Sequence, residues 1–480
     1  MNDLTKGSVF GTIVKFSLPY FAAYFLQTFY GLADLFITGQ FCGADTITAV
    51  AGGSQLMHFV TVVIVGLAVG TTVMIAHEVG RSSSNKTHEH AQINKIIGNT
   101  VTVFAAAAAA MTAVLLFSAR GIVGIMQTPP EAKAGMLTYI TICFAGIPFI
   151  TAYNVIAAVF RGLGDSRTPM YFVGIACILN IGLDYLLIGG LSMGAEGAAF
   201  ATVTAQTVSV ILSLIWIHYN NRHAVQAAAD PNGAVEEIQS DVSKQDRGIR
   251  VTKADIKPDR DIIMGFVRIG LPIAFQDGFI QVSFLVITAI ANSRGVEIAA
   301  AVGIVEKMIT FLFLVPSSML STISSVGAQA VGAELYGRAR KVLFTGMAIA
   351  CSVGMVFAVS FQFISEEVLS AFTSDADVIS FGSQYIRAYI IDCVLASIHF
   401  CFSGYFSCIG MSVWSFIHNA VSIVCVRIPG AYMASKLFPD NLFPMGLAAP
   451  MGSLLSAVIC VCVYIYIQSH TVYGGDDRSE

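Results

Sequence analysis

The stretch Ile175-Ala-Cys-Ile-Leu-Asn180-Ile-Gly-Leu-Asp184-Tyr-Leu-Leu-Ile188 is apolar enough for a membrane interior, yet it carries an amide and a carboxylate one helical turn apart. An Asp at the centre of a membrane helix costs roughly 2.5–3.5 kcal/mol on the insertion scale, so Asp184 needs a partner within the protein or a function.

The rest of the chain supplies many more such spans. Its 480 residues are 55% hydrophobic and only 12% charged, and the apolar residues fall in runs of about 20, which is a polytopic all-α membrane protein. A net charge of −4 without a basic cluster gives no reason to expect a nucleic-acid partner. Nine of the ten cysteines lie in apolar spans and only Cys42 in a loop, with no CxxC spacing, so they read as small hydrophobes.

Twelve spans are expected, at about 14–38, 47–76, 96–119, 136–160, 170–189, 197–219, 262–291, 298–327, 342–364, 385–409, 414–436 and 446–468. The opening residues to Lys15 are polar and lack a small-residue cleavage site, so the first span is expected to be retained. Eighteen of the 26 Lys and Arg residues fall on one set of connecting segments and four (Arg120, Lys133, Arg294, Lys436) on the other, which predicts that both termini are cytoplasmic. The stretch 220–261, with Ala228-Ala-Asp-Pro-Asn-Gly and Ser243-Lys-Gln-Asp-Arg, is polar and aperiodic, as a linker is. It divides the chain into an N-terminal six-helix lobe, 1–219, and a C-terminal one, 262–480.

The halves are related. A shift of 252 lays Gly43-Ala-Asp on Gly295-Val-Glu, Ala76-His-Glu-Val-Gly80 on Ala328-Gln-Ala-Val-Gly332 and Met193-Gly194 on Met445-Gly446, and a shift of 253 lays Leu18-Pro19 on Leu271-Pro272. Six spans per half keep the repeat's orientation, so a pseudo-two-fold axis along the membrane normal is expected, with a cleft between two lobes that suits alternating access.

Polar residues inside spans then become informative. Gln27, Tyr30 and Asp34 follow i, i+3, i+7 and share one face of the first span, and Pro19 below them removes a backbone bond and marks a candidate hinge. Asn180 and Asp184 share a face of the fifth span. Asp34, Asp184 and Thr202 each stand four or five residues from the outer ends of their spans, roughly 6–8 Å deep at about 1.5 Å per residue. Two carboxylates, an amide and a hydroxyl at one depth make a hard oxygen site for Na⁺, or for a proton shared between acids. The plainer reading makes each acid a helix-end group reaching for water and Thr202 a packing residue.

The second half has lost this set: at the corresponding shifts Asp34 falls on Val286 or Ile287, Thr202 on Leu454, Asn180 on Val426 and Asp184 on Gly430. It carries charges of its own, namely Asp277, Glu306, Lys307, Asp392, His399 and Arg427, for which structural pairs such as Asp277 with Lys307 are one reading. Gln281, one turn beyond Asp277, is placed to line a cleft. His58 and His418 read as packing residues, having no acid or Cys at metal spacing.

After the fourth span comes Phe160-Arg-Gly-Leu-Gly-Asp-Ser-Arg-Thr-Pro-Met170. Together with Leu18-Pro19, Tyr30-Gly-Leu-Ala-Asp34, Asn180-Ile-Gly-Leu-Asp184, Gly194-Ala-Glu-Gly-Ala198 and the six-plus-six repeat, it resembles the multidrug and toxic compound extrusion (MATE) transporters, prokaryotic and with DinF-like features. The resemblance implies an antiporter that exports organic, often cationic compounds against inward Na⁺ or H⁺. It implies a cation-coupling set at Asp34, Asn180, Asp184 and Thr202, where Na⁺ is a possible occupant. Substrate contacts are implied at Gln27, Tyr30 and Asn154, and Gln206, Asp277 and Gln281 are further candidates. The chain departs from the pattern where family members that couple through the second lobe have a Glu in the seventh span: Gln281 stands about there, with Asp277 a turn earlier.

A flippase for lipid-linked saccharides, within the same superfamily, is the alternative; it should show cationic residues facing the cleft, and the first lobe shows almost none. No motif for an enzyme's nucleophile, metal or nucleotide appears. The expected partners are small organic molecules and the lipid bilayer of the inner (cytoplasmic) membrane, for a protein acting as a monomer without a cofactor.

Overall fold

In the computed structural model, residues 2–84, 91–126, 128–229 and 251–470 are described, and among them the chain is helical with no strand. Ten helices are long and apolar enough to cross a bilayer: Val9–Phe41, Ala44–Ser83, Ala91–Ile125, Arg167–Gly190, Gly194–Asn221, Arg260–Asn292, Val296–Gly332, Tyr336–Ser370, Val413–Leu437 and Phe443–His470. Two bent pairs, Pro130–Ala145 with Ile147–Gly162 and Ala376–Tyr389 with Asp392–Cys408, complete the twelve spans. Most helices outrun their apolar windows by several residues, because intrahelical bonds continue after hydropathy fades.

The bends are not in the sequence expectation, which treats 136–160 and 385–409 as continuous. The first pair turns through 51° between Ala145 and Ile147, where Pro148 lacks the N–H that a continuous helix would donate back to Phe144. The second turns through 41° at Ile390 and Ile391, where Cys393 and Val394 bond three residues back instead of four. Neither Pro nor Gly stands at that second break.

Contacts divide the chain into two units. One comprises Met1–Asp3 with Ala22–Phe266, the other Leu4–Phe21 with Val267–Glu480. Residues 4–21, and with them Pro19, group with the second unit, and 251–261, the end of the expected linker 220–261, with the first. Of that linker, 230–250 lies outside the described residues. Both halves repeat the same irregularities: a proline inside the first helix (Pro19, Pro272), a bent fourth span, and a π-helical turn in the fifth (Tyr185–Gly190, Ile423–Arg427).

Each unit has its own core. In the first, Ile37, Val50, Met136, Tyr139, Ile140 and Phe144 interlock; in the second, Ile287, Val302, Tyr385, Ile386 and Met445 do so. Apolar side chains such as Phe117 and Phe363 point outward, as a protein solvated by lipid tails permits. Helix pairs approach closely through small residues. At Gly404 an added Cβ would sit 2.5 Å from the carbonyl oxygen of Leu320, a backbone atom that cannot swing aside. Gly404→Ala is accordingly expected to cost about 1–3 kcal/mol. It should lower the thermal unfolding midpoint in detergent, whereas Gly303→Ala, whose Cβ would meet nothing within 4 Å, should not.

Candidate functional site

Three helices of the first unit bring the polar residues together. The first span supplies Tyr30 and Asp34, the fifth Asn180 and Asp184, and the sixth Thr202 and Gln206. Thr202 Oγ1 donates to Asp34 Oδ2 at 3.3 Å, and Asn180 Nδ2 reaches Thr202 Oγ1 at 3.5 Å. Asp184 lies beside Asp34, and both carboxylates are almost wholly buried. The fifth helix changes to a π-helical turn directly after Asp184, a distortion frequent at functional sites.

Four acceptor oxygens at this place have no donor in ordinary geometry, Asp34 Oδ1, Asn180 Oδ1 and both oxygens of Asp184, and the two carboxyl groups stand at hydrogen-bonding approach to each other. Buried acceptors are ordinarily satisfied, and leaving one unpaired costs about 1–3 kcal/mol, more for a charged group. An all-oxygen set of two carboxylates, an amide and a hydroxyl suits a hard monovalent cation or a shared proton, and among the described residues no three His, Cys, Asp or Glu gather as a transition-metal site would require. The helix-end reading of the acids does not hold, since Asp34 and Asp184 face the protein interior.

A narrow recess adjoins the acids, lined by Tyr30, Tyr153, Ala176, Asn180, Thr202, Ala205 and Gln206. In this conformation the recess is closed, with no room for a water molecule, let alone a drug-sized ligand. Gln206 Nε2 donates to the Tyr30 hydroxyl at 3.3 Å, and Gln27 lies next to the same hydroxyl. Asn154, by contrast, spends its amide on the carbonyl of Ile150 in its own helix, and its neighbour Tyr153 lines the recess. Tyr153 has only apolar residues three and four positions away, so helical spacing does not single it out. Tyr139 and Cys143, on the fourth span, also approach Asp34.

In the second unit Asp277 and Gln281 are half-buried on the seventh span. The expected pair of Asp277 with Lys307 is not formed: Lys307 is exposed, and Glu306, the adjacent position on the helix, turns inward and accepts from Thr288 at 2.9 Å. Arg427 is buried, lies 4.8 Å over the Phe284 ring and donates to the Tyr389 hydroxyl, with Glu306 and Asp392 within electrostatic reach. His418 is held on both ring nitrogens, by Ser403 at 2.9 Å and Ser456 at 2.6 Å, as a packing residue is. Gln276, next to Asp277 and unremarked in the sequence, is fully buried with neither amide atom bonded.

Known proteins share this organisation. The YoeA protein of Bacillus subtilis, named a probable multidrug resistance protein, is 20% identical over 467 residues, covering 96% of this chain and 95% of its own. The similarly named YpnP of the same organism is 23% identical, covering 97% and 96%. A solved structure described as the outward-facing conformation of a multidrug resistance MATE family transporter of the MOP superfamily superposes with a TM-score of 0.85 at 20% identity, over 97% of each chain. The MatE family model matches residues 19–186 and 272–433, one stretch in each half and more than half of the chain in all. This multi-pass membrane protein belongs to the MatE family.

Proposed function

We propose that the protein exports organic, often cationic, compounds from the cytoplasm in exchange for Na⁺ or H⁺, by alternating access in a cytoplasmic membrane with both termini inside. The observation that carries this reading is the unsatisfied oxygen cluster of Asp34, Asn180, Asp184 and Thr202. A buried acid pair with four orphan acceptors is a place that gains free energy by taking up a monovalent cation. The names of the relatives supply the class of cargo, and none of the seven residues lining the adjoining recess is cationic, as a pyrophosphate-binding flippase would need.

In this mechanism one monovalent cation takes up one of the two negative charges of the ionised acid pair. Thr202 donates to Asp34, while Tyr30 and Gln206 join the first and sixth spans beside it. Loading therefore changes how the first span packs near the recess, where Gln27, Tyr30 and Gln206 offer polar contacts to a cargo held mainly by aromatic surface. Pro19 lets the lower part of that helix bend. Exchange is driven only by the difference in cation affinity between the two states, and a few kcal/mol suffices to invert their populations.

Efflux of a fluorescent cationic dye from proteoliposomes tests this. One imposed gradient, of Na⁺ or of pH, is expected to drive efflux in the wild type, and Asp34→Asn and Asp184→Asn should abolish the driven flux while leaving dye binding in place. Normal pumping by both variants would remove the acids from the mechanism. Thr202→Val deletes the hydroxyl that donates to Asp34. A hydrogen bond to a charged group is worth about 1.5–3 kcal/mol, so the cation concentration for half-maximal efflux should shift by roughly ten- to a hundredfold. An unchanged value would show that Thr202 only packs.

A further inference from the structure

The residues leading into the seventh span are bound to the third span by side chains that the export mechanism leaves unused. Asn99 is fully buried although it sits near the polar start of Ala91–Ile125. Its Oδ1 accepts from the backbone N–H of Asp259 at 2.6 Å, and its Nδ2 donates to the carbonyl of Asp255 at 3.2 Å. One turn to either side, Lys95 Nζ meets Asp259 Oδ2 at 2.6 Å and Thr102 Oγ1 donates to the carbonyl of Ile256 at 2.8 Å. Gly98 makes the approach possible: an added Cβ would stand 2.4 Å from the carbonyl oxygen of Asp255.

Asp259 is the hub of this contact. Its Oδ1 accepts from the N–H groups of Asp261 and Ile262, capping the helix Arg260–Asn292, while its own N–H and Oδ2 are held by the third span. The bond from Lys95 keeps its carboxyl below the usual carboxylate range, so it stays ionised at any physiological pH. The ion pair is partly exposed and worth little alone, so the buried amide of Asn99, satisfying two backbone groups, does most of the holding.

The second unit has a counterpart made with different chemistry. Arg338 donates to the carbonyls of Leu4, Lys6 and Gly7, the last in a left-handed conformation at φ +76°, and Gln329 accepts from the N–H of Leu4. Each of the two leading helices thus starts in one unit and continues in the other, with the change after Phe21 in the first and after Phe266 in the seventh.

We propose that residues 251–259 form a strap, and that Asn99 and Lys95 are positioning residues which fix where the seventh helix begins and keep its opening turns, Arg260 to Phe266, as part of the first unit. Any bending of this helix during transport is then confined beyond Phe266, in the stretch that contains Pro272.

Hydrogen exchange on the full-length protein in nanodiscs tests the strap directly and does not depend on the export reading. Gly98→Ala, which favours the third helix but pushes the Asp255 carbonyl away, and Asn99→Ala, which removes both backbone bonds, are each expected to speed exchange across 252–266 by roughly ten- to thirtyfold, the loss of about two ordinary hydrogen bonds. Gly121→Ala on the same helix, whose Cβ would meet nothing within 4 Å, should exchange as the wild type does. Faster exchange confined to 252–258, with 260–266 still protected, overturns the proposal, as does wild-type exchange in both variants. A transport arm rests on the export reading: in proteoliposomes the strap variants should lower maximal ethidium efflux several-fold with the half-saturating dye concentration unchanged. A loosened strap with wild-type efflux contradicts the positioning role. Absence of ethidium efflux from the wild type counts against the export reading and leaves the exchange result decisive for the strap.

Discussion

Two carboxylates buried side by side in a hydrocarbon-solvated bundle are the constraint on which the first unit depends. Asp34 and Asp184 lie on different helices, and each would be costly alone. Placing them together raises that cost unless something positive is shared between them, and the surroundings do not supply it: Thr202 gives one long hydrogen bond, and Asp184 meets chiefly the carboxyl of Asp34. Four oxygens without a donor in a protein interior are a standing cost of this arrangement. The relation between burial and function is therefore thermodynamic, since whatever neutralises the pair also stabilises this packing of the first, fifth and sixth spans.

The two halves show which features of a duplicated fold persist. Backbone irregularities recur, with a proline in each leading helix, a bend in each fourth span and a π-helical turn in each fifth. Side-chain chemistry does not recur. Where the first unit has an acid pair without a cationic side chain among its hydrogen-bond partners, the second has Arg427, which supplies counter-charge, among Glu306, Asp392, Tyr389 and the Phe284 ring, although both Asp392 oxygens also lack a hydrogen-bond donor in ordinary geometry. Backbone geometry is set by how helices must pack and is shared. A polar group in the interior survives only where it has a partner or a function, and the two units meet that demand differently.

Much of this was legible in the sequence for a physical reason: charge in an apolar span is conspicuous, and helical spacing states which groups share a face. Asn180 with Asp184, and Tyr30 with Asp34, follow from that rule, and depth along each span brings Thr202 level with them. Aromatic residues escape it, because Tyr153 looks like any membrane tyrosine until the helix carrying it is placed. Asn154 misleads for the opposite reason, since a polar residue in a span can satisfy its amide on its own helix. The pairing of Asp277 with Lys307 fails because adjacent positions point about 100° apart, so that Glu306 turns inward and Lys307 outward. The strap was invisible, because backbone carbonyls accepting from Asn99 and Thr102 leave no trace in composition.

The central claim is that the Asp34–Asp184 pair exchanges one proton or one Na⁺ with its surroundings. Infrared difference spectroscopy of the purified protein, recorded as Na⁺ is added at fixed pH and as pH is raised without Na⁺, reads the protonation of buried carboxyls directly. The account predicts a carboxylic-acid C=O band that disappears under one or both of these changes, and that is missing from Asp34→Asn and from Asp184→Asn. A wild-type spectrum with no such band change, or a band that persists unaltered in both variants, would contradict it.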